Sequence, residues 1–83
     1  MRTDEVTQAI TGVLSPHLGE SMAYAAVCAQ VQKLKVGRTI RPQEVDALLA
    51  RLAAGLNVFV GPMTSAGAVE GARKAVSALE HPP

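Results

Sequence analysis

Four stretches of the chain repeat apolar residues at the three- and four-residue spacing that lines one face of a helix. Val6, Ile10, Val13 and Leu14 predict a helix over residues 4–14. Tyr24, Val27, Cys28, Val31 and Leu34 predict a second over 19–35. Val45, Leu48, Leu49, Leu52 and Leu56 form the most regular stripe and predict a third from Pro42 to about Ala54. Val69, Ala72, Val76 and Leu79 predict a fourth over 65–79. Four such faces in one short chain predict an all-α, compact four-helix domain over residues 1–80, with a disordered tail at 81–83.

The polar and special residues between these stripes set the expected boundaries. Thr3 or Asp4 is placed to cap the first helix, and Asp4 and Glu5 suit its positive end. Pro16 should stop that helix or open a short turn through Glu20. Gly37 is a plausible stop for the second, Pro42 suits the first position of the third, and Gly55 should weaken or end it. Thr64 or Ser65 would cap the fourth. Gly67, Gly71 and Ala75 repeat every four residues and predict a closely approaching neighbour.

One segment departs from the helical pattern. Val58, Phe59 and Val60 are an aromatic and β-branched run closed by Gly61-Pro62, which reads as a strand. A lone strand leaves its backbone groups unpaired. Three outcomes satisfy it: a minimal two-stranded pairing between residues 36–40 and 57–60, an irregular apolar plug at the end of the bundle, or an edge that pairs with another chain. Phe59 is expected at least half buried at the end of the bundle near Ile40, covered by this chain or by a second one, because burying such a side chain stabilises by roughly 1.5–3 kcal/mol. A pairing of that kind resembles the way paired EF-hand loops join. Gly37, Ile40 and Glu44 roughly follow the order of an EF-hand loop, but Gln32, Leu34 and Val36 occupy the ligand positions. Calcium needs hard oxygen donors there, so the likeness carries no metal site.

Composition narrows function mainly by exclusion. Hydrophobic residues make up 48% and charged residues 18% of the chain, so some apolar area should stay exposed and favour a partner or a second copy. Tyr24 and Phe59 are the sole aromatics, too few for a base-stacking platform. The net charge of +1 exerts no general pull on nucleic acid or acidic membrane. The single Cys28 and the lack of a leader-like or membrane-spanning run lead us to expect a reducing cytoplasm, bacterial in style.

No constellation of residues points to catalysis. Cys28 lies on an apolar face, and neither its spacing from His17 nor that of the scattered carboxylates builds a catalytic pair or a metal shell. "GPMTSAGAVEG" lacks the order and the Lys of a phosphate loop. Ser21 after Gly19-Glu20 is similar to the modified Ser of acyl carrier proteins, four-helix domains of this length. The loop before it is short and the residues after it are basic, against the long loop and acidic second helix of those proteins.

One local charge feature remains. Between Ser21 and Gln43 stand Lys33, Lys35, Arg38 and Arg41, with no acid among them. They suit a solvated helix end, an acidic protein surface or nucleic-acid phosphates. We therefore expect a non-enzymatic protein–protein interaction module, an adaptor, assembly or regulatory partner capable of forming a homodimer. Its expected contact residues are Lys33, Lys35, Arg38, Arg41, Val58 and Phe59. No cofactor or metal is expected. The alternative is a small helix-turn-helix-like DNA-binding regulator using the basic segment 33–41. Gln43, Glu44, Asp46 and Arg51 on the next helix are half acidic, which disfavours phosphate contact.

Overall fold

The computed structural model describes residues 2–80 as four helices. They are α1 (Thr3–Leu18), α2 (Glu20–Lys33), α3 (Pro42–Val60) and α4 (Pro62–Glu80). The expected tail at 81–83 lies outside the described residues. α1 packs on α2 and α4, and α3 packs on α4; α2 and α3 meet much less extensively than these pairs. The fold is all-α and measures 30 × 29 × 22 Å.

The stripes on α1 and α3 pack as expected. Val6, Ile10 and Leu14 are buried, as are Val45, Leu48, Leu49, Leu52 and Leu56. Ile40, from the α2–α3 connection, closes the core from one end. α2 and α4 contribute smaller residues: Ala23 and Val27 from the one, Ser65, Ala68, Ala72 and Val76 from the other. The close approach expected of the small-residue stripe on α4 occurs at Gly71, where an added Cβ would stand 3.2 Å from Val13 Cγ1. It does not occur at Gly67, which has open space.

Several expected boundaries shift. α1 runs through Pro16 to Leu18, and the expected turn through Glu20 shrinks to Gly19 alone. Pro16 falls in the last turn, where it removes a single helical bond and Gly19 N–H still reaches Ser15 O at 2.8 Å. Thr3 does not cap α1. It is the first helical residue, and its hydroxyl donates to Gly37 O at 2.6 Å instead. α4 begins at Pro62, whose missing N–H is harmless at that position. Ser65 therefore lies inside the helix, and its hydroxyl donates to Ala53 O of α3 at 3.2 Å.

The stop of α2 is also not at Gly37. Lys35 takes the left-handed conformation, φ 56°. Its N–H donates to Gln32 O at 3.1 Å, and Val36 N–H reaches back to Val31 O at 3.4 Å. This is a Schellman closure with lysine where glycine is usual, and the accompanying apolar residues Val31 and Val36 pack on the core.

The strand reading of residues 57–60 is overturned. α3 continues through Gly55 to Val60, so Asn57, Val58 and Phe59 are helical and the pairing between 36–40 and 57–60 does not form. A helix satisfies its own backbone, and β-branched residues tolerate it once an amphipathic face is already packed. The extended pairing that does occur among the described residues is one antiparallel bridge, Arg2 with Thr39. Thr3 N–H donates to Arg38 O at 2.9 Å beside it, which ties the connection to the start of α1.

Gly19 and Gly61 are single-residue corners with φ 86° and 88° and ψ near extended values. Only glycine adopts that region without strain. Both corners lie at one end of the molecule, because Leu18 and Met22 on either side of Gly19 share a groove with Phe59, two residues before Gly61. The 34–41 connection lies at the other end.

Candidate functional site

The residues expected to form one contact surface fall into two. Lys33 ends α2 and Lys35, Arg38 and Arg41 lie in the connection before α3, whereas Val58 and Phe59 lie on the last turn of α3. A helix of 19 residues separates its ends by about 27 Å, so one small partner element does not engage both sets.

At the connection end the four cations are all exposed, and none forms an ion pair among the described residues. Two shallow depressions flank them. One combines Arg2 and Arg38 with Asp4, and the other combines Arg41 with Glu44. Glu44 Oε1 accepts the Arg41 N–H at 2.9 Å, which starts α3 and fixes a carboxylate beside the cation. Each depression thus contains an acid that would repel a phosphate. Residues 34–41 also make a longer connection than the roughly 3–4-residue turn of a helix-turn-helix.

The corner end presents exposed apolar side chains. Val58 is 89% and Met63 90% exposed, and Phe59 is 65% exposed. The expectation that Phe59 is at least half buried near Ile40 is overturned on both counts. Helical continuation carries Phe59 a full helix length from Ile40 and leaves it on the rim of a groove between α2 and α3.

That groove exists because α2 leans on α1 and meets α3 only weakly. Leu14 and Leu18 of α1 form its floor. Met22, Ala26 and Gln30 form the α2 wall, and Leu52, Leu56 and Phe59 the facing wall on α3. Arg51 and Gly55 stand one turn apart along α3 and complete it. The lining is predominantly apolar and encloses about 220 Å³. This is below the roughly 300–1,000 Å³ of small-molecule sites, and on the scale of a few side chains.

Little of this surface was anticipated. Val58 and Phe59 were identified, but Met22, Arg51 and Gly55 were not. The available signals were a glycine inside the otherwise strongest helix and a cation amid its leucines.

The reactive groups are elsewhere. Cys28 is partly buried, and no hydrogen bond or ion pair among the described residues joins it to His17. Its titratable neighbour is Tyr24, whose phenol is held above its ordinary value by hydrogen bonding to the Cys28 side chain, then by its charge and by desolvation. No described cluster of three His, Cys, Asp or Glu side chains is placed to hold a metal. No described helix is long and apolar enough to cross a membrane. Comparison of the chain with protein families, curated proteins and solved structures finds no match.

Proposed function

We propose that the protein is a non-enzymatic protein–protein interaction module, an adaptor, assembly or regulatory partner, which receives an amphipathic helix of another protein in the α2–α3 groove. The observation that carries this reading is the incompletely closed seam itself. Two helical walls, an apolar floor and exposed Met22 and Phe59 at one end form a trough of the kind that takes the apolar face of a third helix. Val58 and Met63 extend the apolar area beyond the trough, giving the bound helix further surface to cover. The lone free cysteine supports a reducing compartment, which we take to be the cytoplasm.

The test is a titration of isotope-labelled protein with a synthetic 18-residue peptide carrying leucines at helical i, i+3, i+7 spacing and uncharged polar flanks. Shifts confined to Ala26, Gln30, Leu52, Gly55 and Phe59 are expected. Shifts centred on Lys33–Arg41, or none at all, would contradict the reading. A concentration-dependent dimer that buries the groove would replace the foreign helix with a second copy of this chain.

A further inference from the structure

Resting on that docking reading, we infer that the incoming helix is acidic: it carries carboxylates beside its apolar stripe, and Arg51 receives one of them. From Glu20 to Val60, α2, α3 and their connection carry five cations, Lys33, Lys35, Arg38, Arg41 and Arg51, against three acids, Glu20, Glu44 and Asp46. α2 beyond its first residue, together with the connection that follows, contains four cations and no carboxylate. The two acids at the start of α3 are already engaged. Glu44 accepts the Arg41 N–H, and Asp46 is turned to α4, where Arg73 donates to it at 2.6 Å. Arg51 is exposed on the groove rim with no ion pair among the described residues.

Two further features point to a guest. Gly55, one turn beyond Arg51, sits inside a helix where glycine costs about 1 kcal/mol relative to alanine. Its own chain gives no reason for it, since a Cβ there would meet nothing within 4 Å. A guest backbone approaching that wall is a reason. Across the groove, the side-chain carbonyl of Gln30 is buried and accepts no hydrogen bond. A donor brought by the guest would satisfy it.

The experiment compares two synthetic 18-residue peptides with the same leucine stripe, one flanked by glutamates and one by lysines. Their affinities are measured by calorimetry at low and high salt. The glutamate peptide should bind roughly tenfold more tightly than the lysine peptide, and salt should narrow the gap. Arg51→Glu should reverse the order, and its melting curve verifies that the exposed change leaves the fold intact. Equal binding of both peptides, or an unchanged order in Arg51→Glu, overturns the acidic partner while leaving the groove reading standing. Failure of both peptides to bind overturns the two together.

Discussion

Helices α2 and α4 each follow a single glycine with nearly the same backbone angles, yet they are held very differently. α4 lies between α1 and α3. It buries Ser65, Ala68, Ala72 and Val76 along most of its length, seats Gly71 against Val13, and is pinned to α3 by the Ser65 hydroxyl. α2 buries only Ala23 and Val27 and rests mainly on α1. A short corner of fixed geometry therefore does not decide how a helix packs; the size and spacing of its side chains do. Small residues let α4 sink between two neighbours. The unburied flank of α2, with Met22 half exposed, leaves the groove.

The largest effect should come from the core to which all four helices contribute. Leu49 is 1% exposed, and Leu49→Ala should lower stability by about 2–5 kcal/mol in denaturant unfolding. A loss close to zero would mean that α3 is not the common support. Next come the corners. Gly61→Ala and Gly19→Ala each force a side chain into a region reserved for glycine and should cost about 1–3 kcal/mol. If the packing comparison holds, the Gly61 change disturbs α4 on both sides, whereas the Gly19 change disturbs chiefly the α1–α2 contact. Amide exchange in each variant distinguishes these patterns.

Smaller effects sharpen the account. Lys35→Gly should raise stability by about 1 kcal/mol, because glycine takes the left-handed conformation without strain. The Asp46–Arg73 pair joins α3 to α4 at 2.6 Å but is 50–63% exposed. Arg73→Ala should therefore cost no more than about 1 kcal/mol, and high salt should shrink that difference.

The helical architecture was legible because α1 and α3 carry apolar stripes that nothing contradicts. Val6, Ile10, Leu48, Leu49 and Leu52 are buried as their spacing implies. The last turn of α3 was not legible. Val58 and Phe59 have strand-forming side chains, and local preference was outweighed by a helix already anchored from Val45 to Leu56. Thr3, Thr7 and Thr11 were missed as buried residues because a polar stripe beside an apolar one reads as solvent-facing. In the fold, α1 has neighbours on two sides and buries both stripes. Of the expected contact residues, the cations are exposed, Phe59 is exposed where burial was expected, and sequence alone did not show that the two sets lie at opposite ends. The groove between them depends on which helices fail to meet, and that is a property of the assembled fold.

The central claim is that the α2–α3 groove is a docking surface for a helix. Filling it tests this most directly. Gly55→Leu places a side chain in open space within the wall, and in isolation a better helix former should not lower the melting temperature. Titrating the leucine-striped, glutamate-flanked peptide into the wild type and this variant should show binding to the first and none to the second. Equal affinity for both would contradict the account.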